Sequence, residues 1–157
     1  MKSIVYVETS IVSYLTAKPS RDIIVAAHQQ LTLEWWEKVY PQVECVISGF
    51  VIQEASRGDQ EAAQKRLEIL GQLRMLDLND EILPLASQYF TTLQLPESSK
   101  MDAYHLAVAV WHQTDYLLTW NCRHLANGRV RKMIEELNTK LKVKTPVICT
   151  PEELMEV

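Results

Sequence analysis

The chain has 157 residues, 47% of them hydrophobic and 23% charged, with only 4 Gly, 6 Pro and 3 Cys. That composition excludes a disordered chain, which would be poorer in apolar residues, and a disulfide-stapled scaffold, which would be richer in cysteine. Sixteen Lys and Arg against twenty Asp and Glu give a formal net charge of −4, which taken whole argues against a nucleic-acid binder.

In chain order, short apolar runs alternate with stretches of helical spacing. The runs are Ile4 to Val7, Val43 to Ser48, Met75 to Leu78, Tyr116 to Thr119 and Val147 to Cys149. Runs of about five apolar residues without alternation fit strands covered on both faces, so the expected fold is a three-layer α/β domain with a central parallel sheet. Helix starts fall between them. Pro19-Ser20-Arg21-Asp22 opens a helix reaching Tyr40, and Asn79-Asp80-Glu81 opens another. Ser99-Lys100-Met101-Asp102 and Thr150-Pro151-Glu152-Glu153 both read as capping boxes. The helix from Ser20 carries two apolar stripes: Ile24, Ala27, Leu31 and Trp35, and then Val25, Leu33, Trp36 and Tyr40. One stripe can face the sheet; the other needs either a second packed helix or a protein partner anchored by Trp36. No repeat or linker divides the chain, so residues 1 to 157 are expected to form one domain.

No apolar run reaches the roughly 20 residues of a membrane-spanning helix, and Glu8 ends the first run before a signal-peptide core can form. A cytoplasmic protein with no membrane association and with reduced thiols is expected. Cys45, Cys122 and Cys149 form no C-x-x-C pair and read as structural.

The four glycines lie too far apart for a dinucleotide fingerprint or a P-loop, and neither G-x-S-x-G nor H-E-x-x-H occurs. What remains is a set of acids. Glu8 ends the first strand, where the ligand crevice of an open α/β sheet lies. Glu54 sits one turn from the apolar Phe50 and Val51. Asp102 shares a helix face with Leu106, Ala109 and Val110, although its place in a capping box is also a sufficient structural reason for an acid. His105, on the adjoining surface, reads as a structural partner. Asn121 holds the same strand-end location as Glu8. If the strands are central, Glu8, Glu54, Asp102 and Asn121 converge. Crowded carboxylates repel unless a cation joins them, and all-oxygen donors of this kind suit Mg²⁺ or Mn²⁺.

Four segments together, Val5-Tyr6-Val7-Glu8-Thr9-Ser10, Ser48-Gly49-Phe50-Val51-Ile52-Gln53-Glu54, Met101-Asp102-Ala103-Tyr104-His105-Leu106-Ala107 and Asp115-Tyr116-Leu117-Leu118-Thr119-Trp120-Asn121, resemble the PIN-domain nucleases. The likeness is to the VapC-type toxins of bacterial toxin–antitoxin pairs, in order over nearly the whole chain. It implies a five-stranded parallel sheet, an acidic Mg²⁺/Mn²⁺ site, endoribonuclease activity on an RNA substrate, homodimers and an antitoxin partner. By position, Glu8, Glu54 and Asp102 take the places of the family's three acids and Asn121 that of its strand-end acid or amide. Thr9 and Ser10 follow as its small polar residues do. Two positions depart from the pattern. Glu8 stands where Asp is usual, one methylene longer, and His124 stands where a further acid often follows. Imidazole suits Mn²⁺ better than Mg²⁺, so Mn²⁺ is expected to support activity at least as well. The alternative is a degenerate PIN-like module that binds RNA or a protein without cleaving it.

The net charge is also uneven. Residues 123 to 144 hold seven bases and two acids, the bases being Arg123, Arg129, Arg131, Lys132, Lys140, Lys142 and Lys144. A solvated helix face explains such a run; so does an RNA phosphate-binding surface beside the crevice, formed by Arg123, Arg129, Arg131 and Lys132.

Overall fold

The computed structural model describes residues 1–157 and contains five strands: β1 (Ile4–Val7), β2 (Glu44–Ile47), β3 (Arg74–Met75), β4 (Tyr116–Leu118) and β5 (Val147–Cys149). All pair in parallel, in the order β3-β2-β1-β4-β5. The strands connect through α1 (Thr9–Thr16), α2 (Ile23–Lys38), α3 (Gly49–Ala55), α4 (Gln60–Leu70), α5 (Ile82–Thr92), α6 (Lys100–Trp111) and α7 (Gly128–Leu141). This is the expected α/β architecture.

The order has one consequence for function. From β1 the chain adds β2 and β3 outward on one side, then crosses to add β4 and β5 on the other. The neighbours β1 and β4 therefore flank the switch point, and their carboxyl ends open the crevice in which such sheets bind ligands. Val5, Tyr6, Val7, Leu117 and Leu118 have no exposed surface, as strands buried on both faces require.

Local chemistry sets the helix limits. Asp22 caps α2, its carboxylate accepting from the backbone N–H groups of Ile24 and Val25 at 3.0 Å. Trp35 is fully buried, and its indole N–H donates to the Leu154 carbonyl at 3.0 Å, tying the C-terminal turn to α2. Truncating such a side chain costs about 3–5 kcal/mol. Both α2 stripes divide. In the first, Trp35 is buried while Ile24 stays exposed; in the second, Trp36 stacks on Tyr40 with ring centroids 4.4 Å apart while Leu33, like the neighbouring Ile23, stays exposed. α6 is buried on nearly every face from Ala103 to Val110, so it is a core helix and not a surface one.

Three expectations are corrected. β3 is shorter and earlier than the Met75 to Leu78 run, because it pairs only through Val46 with Arg74 and Ile47 with Met75. The Thr150 capping box is present, but it opens a short 3₁₀ turn, Pro151–Leu154. The Ser99 box does not form: Ser99 makes no capping bond, and Asp102 turns inward instead.

Candidate metal centre

Glu8 follows β1 and precedes α1, Glu54 lies in α3 just after β2, and Asp102 and His105 lie in the first half of α6. Thr119 and Asn121 follow β4. The structure brings all of them to the carboxyl ends of β1 and β4. Glu8 and Asp102 are buried, with 5% and 8% of their surface exposed.

Each carboxylate is held by hydroxyl or imidazole partners. Glu8 accepts through Oε1 from the hydroxyls of Ser10 and Thr119, both at 2.5 Å. The Ser10 oxygen also accepts from the Trp120 backbone N–H at 2.8 Å, which binds the β1 end to the β4 end. Glu54 accepts through Oε1 from Thr9 Oγ1 at 2.6 Å and from His105 Nε2 at 2.5 Å. Asp102 Oδ2 pairs with His124 Nδ1 at 3.0 Å. Asn121 Oδ1 accepts the His124 backbone N–H at 3.0 Å, so this oxygen is already engaged and the Asn121 amide supports the ionised form of Asp102.

The electrostatics separate the acids. Burial and the charge of Glu8 push the Asp102 carboxyl above the usual Asp range, outweighing Asn121, His105 and His124. Burial also opposes ionisation of Glu54, yet the hydrogen bond and charge of His105, with Thr9 and Arg57, hold it below the usual Glu range. The fully buried His105 is shifted up: burial opposes its charge, but the hydrogen bond to Glu54 and the charges of Glu8, Glu54 and Asp102 prevail. Tyr6, buried beside it, is shifted far up by desolvation and stays a phenol.

The donor chemistry fits a divalent cation. Glu8 and Glu54 are each gripped at Oε1, which leaves Oε2 of both without a protein donor. Ligand-capable atoms of Glu8, Glu54 and His105 all lie within 4.8 Å of one another. Close carboxylates with unused oxygens, and the charge of Glu8 acting on the buried Asp102, are what a hard cation offsets.

His105 is the residue that sequence reasoning undervalued. It stands at the centre of the cluster, and its partner Glu54 is 51 residues away, a pairing that leaves no local signal. Arg131 is also corrected: its guanidinium is committed to the Ile148 carbonyl at 2.7 Å and to Glu153 at 2.7 Å, so it does not stand ready for phosphate. Arg123, Arg129 and Lys132 are exposed and make no ion pair.

No protein-family model matches the sequence, and no curated protein matches it. Solved structures do match. VapBC2 from Rickettsia felis, bound to a DNA fragment from its promoter, aligns at 17% identity over 94% of this chain and 98% of that one, with a TM-score of 0.55. VapBC-1 from nontypeable Haemophilus influenzae aligns at 15% identity over 95% and 98%, with a TM-score of 0.58. FitAcB from Neisseria gonorrhoeae aligns at 13% identity over 96% and 99%, with a TM-score of 0.56. At these identities the likeness establishes the fold, the PIN-like fold that the sequence resemblance implied. No helix is long and apolar enough to cross a membrane.

Proposed function

We propose that the chain is a metal-dependent endoribonuclease, hydrolysing RNA phosphodiester bonds as the toxin of a toxin–antitoxin pair. The observation that supports this reading is the close approach of Glu8 and Glu54 at the sheet's switch point, with Oε2 of each left without a protein donor and the buried Asp102 near enough to feel the charge of Glu8. Glu8 and Glu54 would hold a Mg²⁺ or Mn²⁺ ion, with Asp102 completing the acidic set directly or through water. When bound, such an ion neutralises phosphate charge and acidifies water for attack on phosphorus.

The rest falls to the protein's own side chains. Ser10 and Thr119 fix Glu8, Thr9 and His105 fix Glu54, and Asn121 with His124 fixes Asp102. His124 replaces an acid of the family pattern, and its pairing with Asp102 makes it an orienting group in this reading. Arg123, Arg129 and Lys132 supply the RNA phosphate contacts, giving affinity that falls with salt. The exposed Ile23, Ile24 and Leu33 of α2 form the surface for a protein partner, an antitoxin or a second copy in a homodimer. The chain acts as one domain.

The test is an RNase assay with a chelator control. Purified protein cleaves RNA in Mn²⁺ or Mg²⁺, EDTA stops the reaction, and Asp102→Asn abolishes it while circular dichroism stays native. Cleavage by Asp102→Asn equal to wild type would mark a contaminant and refute the assignment. RNA affinity without cleavage in the wild type would favour the binding-module alternative.

A further inference from the structure

His105 lies close enough to Glu8 and Glu54 to be taken for a third ligand of the cation. Its hydrogen bonds say otherwise. The ring has no exposed surface, and both nitrogens are occupied: Nε2 faces Glu54 Oε1 at 2.5 Å, and Nδ1 faces the Tyr6 hydroxyl at 2.8 Å. The Tyr6 hydroxyl in turn meets Ser48 Oγ at 2.7 Å. Ser48 occupies the N-cap of α3, where a serine hydroxyl ordinarily accepts from the helix's first N–H groups; here it makes no such bond. The hydroxyl is engaged by Tyr6 instead.

Only two hydrogen-bond orders satisfy this chain with a carboxylate at its end. With a neutral ring, Ser48 donates to Tyr6, Tyr6 donates to Nδ1, and Nε2–H donates to Glu54. With a charged ring, Nδ1–H donates to Tyr6, Tyr6 donates to Ser48, and Nε2–H again donates to Glu54. Both orders keep a proton on Nε2. Its lone pair is therefore not available to a metal.

We propose that His105 is a positioning residue that aims the Glu54 carboxylate at the cation, and that Tyr6 and Ser48 fix the direction in which it donates. The inference rests on the divalent-cation reading of the site, though not on RNA being the substrate. Partners that orient metal-binding groups are worth about ten- to a hundredfold in metal affinity. The chain also joins three elements, since Tyr6 lies in β1, His105 in α6 and Ser48 at the start of α3, the helix that carries Glu54.

The experiment is Mn²⁺ titration by calorimetry on the full chain, with circular dichroism to confirm folding. His105→Leu should weaken Mn²⁺ binding about ten- to a hundredfold. His105→Gln should stay within about threefold of wild type, because its amide N–H can donate to Glu54 and its carbonyl can accept from Tyr6. Tyr6→Phe should weaken binding although Tyr6 touches no proposed ligand. If His105→Gln binds as poorly as His105→Leu, His105 is a ligand and the proposal is overturned. Wild-type affinity in His105→Leu overturns it as well. Should His105→Leu fail to fold, Tyr6→Phe decides: a loss supports the relay, and unchanged affinity overturns it. Mn²⁺ binding by a wild type that cleaves no RNA would overturn the nuclease reading alone, whereas absence of Mn²⁺ binding would overturn this inference too.

Discussion

Thr119→Val tests whether the grip on Glu8 exists as described. Thr119 has no exposed surface; its hydroxyl donates to Glu8 Oε1 at 2.5 Å and accepts from the Asn121 backbone N–H at 2.9 Å. Valine keeps the shape and removes only the hydroxyl. A hydrogen bond to a charged group contributes about 1.5–3 kcal/mol, and an abandoned buried donor costs a further ~1–3 kcal/mol. Two facts pull toward the lower end: Ser10 still donates to Glu8, and Asn121 is only partly buried, so water can replace part of what its N–H loses. The expected loss is about 2–3 kcal/mol. For a chain of this length that lowers the melting temperature by about 5–10 °C. Urea unfolding followed by circular dichroism measures it, with an unchanged m-value confirming that the effect lies in the folded state. A double-mutant cycle with Glu8→Gln should return coupling above about 1 kcal/mol. Stability within about 0.5 kcal/mol of wild type, or a cycle with no coupling, would refute the described contact.

Asp102→Asn should raise the melting temperature of the metal-free protein while destroying Mn²⁺ binding. Burial and Glu8 raise this carboxyl, so its ionised form opposes folding at neutral pH; a lower melting temperature in EDTA would contradict that. The stability of the metal-free protein should fall on both sides of an intermediate pH. His105 is shifted up, so its contribution is complete below the ordinary value of 6.5 and is lost as pH rises through the folded value; Glu54 is shifted down, so its contribution is present above 4.5 and is lost as pH falls through the folded value. Melting temperatures across pH in EDTA check this, and His105→Gln should flatten the alkaline side. Arg129→Ala and Lys132→Ala should each reduce the salt slope of RNA binding by about one, whereas Arg131→Ala should lower stability and leave the slope unchanged.

The sheet was legible because its strands are short apolar runs buried on both faces, a pattern that needs no knowledge of neighbours. β3 was misplaced because an edge strand is defined by its pairing with Val46 and Ile47, and the apolar run beside it carries no mark of which backbone groups bond. Asp102 shows the limit more sharply. A capping acid and an inward acid have the same local sequence, and only the distant His124 distinguishes them. The same holds for Arg131, read as a phosphate contact, whose partners Ile148 and Glu153 lie 17 and 22 residues further along. The three acids stood out as candidates because strand ends and helix starts are visible in sequence. The donors that orient them were partly missed, since Thr119 and His105 act across 111 and 51 residues.

Diffraction at the manganese edge from a crystal of the protein grown with Mn²⁺ tests the central claim most directly. The account predicts an anomalous peak among the carboxylates of Glu8, Glu54 and Asp102, with His105 Nε2 still donating to Glu54. A crevice with no peak at saturating Mn²⁺, or a peak ligated by His105 in place of the acids, would contradict it.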